Sequence, residues 1–229
     1  MKRFWTDVEV VPIDGGFDVH LDARPIRTPG RAPLRLPTAA LAEAVADEWR
    51  AVGDAIDPRA MPITGLANAA IDRIAPDPGA FAAGLAAYGE SDLLCYRAEH
   101  PLELRLRQDA FWDPLLAWAR DRHGADLRPT TGIIHCPQPA ASLAALAGAL
   151  ARYSPFELAG LSPLVTITGS LVAALALFDR AVTAEDVWAA ANLDEDWQVE
   201  HWGEDDLARQ SRQARRAEFD AAARFLSLL

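Results

Sequence analysis

The sequence predicts an α+β protein: a small mostly-β N-terminal domain over residues 1–58, including the helix that follows its strands, and a larger α-helical C-terminal domain over residues 59–229. Three observations carry that expectation. Phe17, Val19 and Leu21 alternate with Asp18, His20 and Asp22, the period of two that marks a strand with one buried face. After Pro37 the period lengthens, and Leu41, Val45, Trp49 and Val52 recur at helical spacing. Beyond them lies a succession of Ala- and Leu-rich segments, and 51% of the 229 residues are hydrophobic, enough for a sizeable core.

Taken in order, the DGG sequence at 14–16 supplies a turn, which makes the first two strands a hairpin. RPIRTP and APLRLP offer one or two further short strands, with prolines at edges or ends. Thr38 is the expected N-cap of AALAEAVADEWRAVG, and Gly53 its end. Helical segments follow in MPITGLANAAIDRIA, PGAFAAGLAAYG, PLELRLRQDAFWDPLLAWARDRHG and PAASLAALAGALARYS, with Pro114 expected to kink or restart its helix. TAEDVWAAANLDEDWQVEHW and EDDLARQSRQARRAEFDAAARFLSLL complete the set.

A formal net charge of −11 argues against a nucleic-acid partner and an anionic membrane surface, since both reward cations. Lys2 is the one lysine, which nearly removes activated-amine chemistry and the phosphate-binding lysine of a P-loop. Cys95 and Cys136 form no CxxC and nothing at the start resembles a signal peptide, so reduced thiols in the cytoplasm are expected. The run at 158–178 carries no charge and is long enough to span a bilayer. Ser162, Pro163, Thr166, Thr168, Gly169 and Ser170 interrupt it, however, and a buried central helix is expected rather than stable membrane insertion.

No G-x-S-x-G, G-x-G-x-x-G, P-loop or H-E-x-x-H occurs, and the five histidines are scattered. Cys95 reads as a small buried apolar residue, having no sequence neighbour that would lower its pKa. No catalytic residue, metal ligand or cofactor is therefore assigned. One stretch stands apart: LDEDWQVEHWGEDD, at 193–206, sets seven carboxylates around two tryptophans and a histidine. A calcium loop is rejected, because Val199 stands where the turn glycine is required and no glutamate closes the loop. On one continuous helix, Trp188, Asn192, Glu195, Val199 and Trp202 share a face, with Asp194, Gln198 and His201 on a second and Leu193 and Trp197 on a third. Glu195 then lies in an apolar seam, where it must meet an arginine, hold a proton or await a partner. Glu204, Asp205 and Asp206 suit the first turn of the last helix, and Arg209, Arg212, Arg215 and Arg216 read as a solvated face.

RFWTDVEVV, GGFDVHLDARPIRTP, LPTAALAEAVADEW, MPITGLANAAID, SDLLCYRAE and LDEDWQVEHWG, in that order, resemble the assembly-chaperone family for the catalytic head of the F-type ATP synthase, in the branch that holds the alpha subunit. The resemblance covers nearly the whole chain. It implies the same two-part fold, no enzymatic activity, no cofactor, and a bacterial protein that works in the cytoplasm, since mitochondrial members carry a transit peptide. It further implies an ATP-independent chaperone that binds the newly made alpha subunit and shields its interface until beta subunits arrive, and that is monomeric when free. The motif it points to is Asp194, Glu195, Asp196, Trp197 and Gln198, with Glu195 or one of its acidic neighbours the expected essential acid; the expected client-binding set adds Leu193 and Trp202, with Leu193 and Trp197 as apolar anchors. The competing expectations are a small acid-dependent or metal-dependent hydrolase built on 194–206, and an adaptor that inserts the apolar helix in a membrane.

Overall fold

The computed structural model describes residues 2–229. Strands β1 (Val8–Ile13) and β2 (Gly16–Leu21) form the expected antiparallel hairpin, with Val10 opposite Val19, and β3 (Arg24–Pro25) adds to the outer edge of β2. APLRLP does not become a strand. Its prolines interrupt the supply of N–H donors, and it makes only single bridges, Arg27 to Pro33 and Phe17 to Leu36. Helix α1 (Ala39–Arg50) packs on this sheet through Leu41, Ala42, Val45 and Ala46. Thr38 caps it as expected, its side chain accepting from Leu41 N at 3.1 Å, but the helix closes at Arg50, short of Gly53. Glu48 in turn accepts from the N–H groups of Ile63 and Thr64 at 2.8 and 2.7 Å, which satisfies the start of α2 (Pro62–Ala69). The chain then widens into a π-turn at Ala70–Ile74 before α3 (Pro78–Ala86).

The chain forms two compact units. One holds the residues through Pro78 together with Ser154–Gly160 and Ala221–Leu229, and the other holds Gly79–Tyr153 and Leu161–Asp220. In the second, β4 (Tyr96–Arg97) pairs in parallel with β5 (Thr130–Thr131), and α4 (Leu102–His123) is the long central helix. Pro114 does not restart α4, which runs as one helix through it to the cap at Gly124. Then come α5 (Ala140–Leu150), α6 (Pro155–Thr168), α7 (Leu171–Phe178), α8 (Ala184–Ala191), α9 (Leu193–Trp202) and α10 (Asp206–Ser227). Helix makes up 61% and strand 10%, so the α+β expectation holds, with the three-stranded sheet confined to the N-terminal residues.

The apolar run at 158–178 is buried, as expected, but as two helices instead of one. Gly169 adopts a left-handed φ of +67°, which a side-chain-bearing residue resists, and this turns the chain between α6 and α7. Ser170 restarts the helix as N-cap, accepting from Ala173 N at 3.0 Å. The companion acceptor comes from far off in sequence. Asp92, wholly buried, accepts from Val172 N at 3.0 Å and from Leu94 N at 3.1 Å. No helix among the described residues is long and apolar enough to cross a membrane.

Burial pushes the Asp92 carboxyl up to about 6, against the pull of the N–H groups that it accepts from. The folded chain therefore holds this proton more firmly than the unfolded chain does. The stability from this group is complete below about pH 4, where both states are protonated, and is lost as the pH rises through 6, to a total of about 3 kcal/mol. Urea denaturation at steps from pH 4 to 7 should show that decline in the parent chain and a flatter profile in Asp92→Asn. Parallel profiles for the two proteins would remove Asp92 as the source.

Candidate functional site

Helix α8 begins with a capping box in which Thr183 and Asp186 exchange side-chain and backbone hydrogen bonds, and it ends after eight residues. Asn192, buried, folds its side-chain amide back onto the Trp188 carbonyl at 2.8 Å, while Trp112 of α4 donates to the Ala190 carbonyl at 2.8 Å. The chain breaks at Asn192 and starts again as α9, so the continuous helix expected over 183–202 is replaced by two. Glu195 is consequently not in a seam with Trp188. It is half-buried at the edge of α9, held by both oxygens to Arg215 of α10 at 2.7 and 2.9 Å. Of the alternatives open for this acid, the arginine partner is the one found.

The face that α9 buries is the one carrying Leu193 and Trp197, 6% and 8% exposed. Both were expected as anchors for a client, and both instead point into their own protein, where they hold the helix down. Arg107 of α4 lies 4.8 Å over the Trp197 ring, and His201 stacks on the same indole at 4.3 Å. Each remaining acid has a partner. Asp194 accepts from the buried Gln108 side chain at 2.7 Å, Asp196 pairs with Arg212, and Glu200 pairs with Arg107 at 2.8 Å. Asp205 caps α10 by accepting from Leu207 N and Ala208 N at 2.8 and 2.9 Å, and Glu204 and Asp206 pair with Arg209. Arg216 joins Glu185 and Asp220 while lying 5.2 Å over Trp188. Arg212, Arg215 and Arg216 of α10 are thus interhelical clamps, more than the solvated face expected.

Two expected contact residues do face outward. Gln198 is exposed, and Trp202 is 78% exposed at the Gly203 turn, with Leu207 at 77% just beyond it. Glu195 turns to Arg215 and His201 to Trp197, so the two do not converge on a common space as a hydrolytic site would require. Among the described residues no group of three His, Cys, Asp or Glu side chains is placed to hold a metal ion. Cys95 is fully buried, and desolvation pushes its thiol up to about 12, so it is no nucleophile.

The contribution of α4 was not foreseen. Leu102, Leu106 and Phe111 are exposed on the helix whose Arg107 and Gln108 grip α9, adding to the exposed apolar side chains of Trp202 and Leu207. A signal for it does exist in the sequence: LELRLR offers more leucines than one buried helix face can use.

Residues 2–120 match the family described as ATP12 chaperone protein. The crystal structure of Atp12 from Paracoccus denitrificans is 45% identical, with a TM-score of 0.94 over 99% of this chain and 97% of that one. An aspartate-to-lysine mutant of P. denitrificans Atp12p is 44% identical, with a TM-score of 0.95 and the same coverage. The Atu1473 protein of Agrobacterium tumefaciens is 42% identical, with a TM-score of 0.94 over 99% of this chain and 85% of that one.

The Asp194 contact gives a stability test. Gln108 is wholly buried and spends its carbonyl on Ala98 N at 2.6 Å, so removing Asp194 leaves its amide N–H group without an acceptor. Asp194→Ala should cost about 1–3 kcal/mol in urea denaturation, Asp194→Asn distinctly less, and the exposed Gln198→Ala about 0.5 kcal/mol at most. Equal losses for the first two would show that the Gln108 contact is not what Asp194 provides.

Proposed function

Since the chain belongs to the ATP12 chaperone protein family, we propose that it is an ATP-independent assembly chaperone of the cytoplasm that binds the newly made alpha subunit of the F-type ATP synthase head and shields its interface until beta subunits arrive. Family membership carries this reading, and the surface chemistry of α4, α9 and α10 supports it. Exposed apolar side chains large enough to matter, Leu106, Phe111, Trp202 and Leu207, sit among arginines and carboxylates that are already paired with each other. Such a mixture offers apolar side chains that contribute affinity and charges that steer the encounter and reject wrong partners without holding the client too firmly to leave.

The client-binding set of Leu193, Asp194, Glu195, Asp196, Trp197, Gln198 and Trp202 divides by role in this proposal. Trp202 and Gln198 touch the client. Leu193 and Trp197 keep α9 seated, and Asp194, Glu195 and Asp196 orient it through Gln108, Arg215 and Arg212. The sequence of events is non-enzymatic: the client docks, its apolar interface is covered, and the beta subunit displaces the chaperone by competing for the same surface.

Native mass spectrometry of the chain mixed with refolded alpha subunit tests the proposal. A one-to-one complex is expected, displaced by beta subunit. Trp202→Ala should weaken it at least tenfold with the circular dichroism spectrum unchanged. Glu195→Lys, which sets a second cation beside Arg215, should weaken it and also loosen α9. A folded chain that captures neither subunit, or a Trp202→Ala variant that binds as well as the parent, would defeat the proposed function or the proposed contact respectively.

A further inference from the structure

The N-terminal residues hold two adjoining clefts, of about 290 and 300 Å³, that share Trp49 and Arg27 as a common wall. Both are mainly apolar, lined by side chains such as Phe4, Ile26, Ile56 and Met61. Three features set them apart from incidental surface relief. Trp49 and Asn68 line the first cleft, and Trp49 Nε1 and Asn68 Oδ1, a donor and an acceptor, are buried without a partner. Groups in that condition are rare in folded proteins, and they ask for a ligand that supplies the missing halves.

The second feature is charge. In a chain with a net charge of −11, the charged residues lining either cleft are Arg24 and Arg27, and neither is ion-paired among the described residues. The third is Gly65, in the interior of α2 on the wall of the first cleft. Its φ is not in the left-handed region, and a Cβ placed there meets nothing within 4 Å. Neither backbone geometry nor a crowding neighbour calls for a glycine, which weakens the helix relative to alanine. What the glycine does preserve is the opening.

We propose that the two clefts form one groove for an extended, apolar peptide segment of a partner protein that bears a carboxylate. Its backbone amide accepts from Trp49 Nε1 and donates to Asn68 Oδ1 once these side chains turn toward the cleft, its apolar side chains enter the two lobes, and its carboxylate meets Arg24 or Arg27. A linear chain with alternate side chains suits a two-lobed groove, and an amide offers both an acceptor and a donor in one rigid unit. This site lies within the first compact unit and stands independently of the client assigned to α9.

The test uses the full chain labelled with ¹⁵N and follows the indole N–H signals, with Trp49 assigned by Trp49→Phe. The probe is the capped peptide acetyl-Gly-Leu-Phe-Glu-Leu-Gly-amide, compared with its counterpart carrying lysine in place of glutamate. A saturable shift of the Trp49 signal is expected, at least tenfold weaker with the lysine peptide and in Arg24→Glu/Arg27→Glu. Gly65→Phe, whose Cβ meets no neighbour and whose ring is placed at the opening, should abolish it while the rest of the spectrum stays folded. No saturable shift, equal response to the two peptides, or a shift confined to other tryptophans would overturn the proposal. So would the same Trp49 shift with sodium glutamate alone, which would mark an anion subsite only, or with increasing protein alone, which would mark a contact between copies of this chain.

Discussion

A carboxylate sealed from water without a cation is among the most costly groups a fold can contain, and Asp92 is one. The cost is partly offset by N–H groups at the start of α7 and in the turn at Leu93–Cys95, whose partial positive charges stand in for a counter-ion. This fixes where α7 begins, and with it the reversal at Gly169. The same short stretch then delivers Arg97, also buried, to Asp113 at 2.6 Å and to the Gln108 carbonyl at 2.7 Å, while its guanidinium lies 5.0 Å over Trp112. Few alternative packings satisfy both groups. One acid and one base five residues apart therefore locate α7 and α4, and α4 is the helix against which α9 is set.

The surface around α9 follows from that placement. Its ion pairs are mostly half-exposed, with side-chain exposures such as 39% for Arg215 and 36% for Glu195, and pairs of this kind add little stability singly. Their number and spacing matter more than their individual strength. Four acids reach four different partners on two different helices, so α9 has one register in which all are satisfied. The energy that holds the helix comes from Leu193 and Trp197, and the charges select the orientation in which Trp202 faces out.

What could be read in the sequence was what is local. Thr38 was recognisable as a cap because the hydroxyl acts on an N–H group three residues on, and the hairpin was recognisable from its alternation and its glycines. The helical wheel over 183–202 failed at one residue. Asn192 is tolerated in a helix by composition, but its folded-back side chain and the Trp112 contact end α8 there, and Trp112 is 78 residues away from Ala190 in sequence. The partners of the acids were hidden for the same reason, with Gln108 and Arg107 separated by 86 and 93 residues from the carboxylates they meet. Pattern singled out 193–202 as a candidate; only tertiary structure sorts its residues into those that are buried and those that are exposed.

A surface with Trp202, Leu207, Leu106 and Phe111 open to water carries a hazard, since apolar patches of one copy attract those of the next. The net charge of −11 offers a colloidal remedy. Like-charged copies repel before their apolar patches touch, and at physiological ionic strength that repulsion reaches only about 8 Å. The barrier is thus short in range and indifferent to orientation, which is enough to slow encounters between identical copies yet weak against any approaching surface that brings positive charge with it. The spacing between like copies and the sign of charge that is let through are in this sense set by one and the same excess of carboxylates.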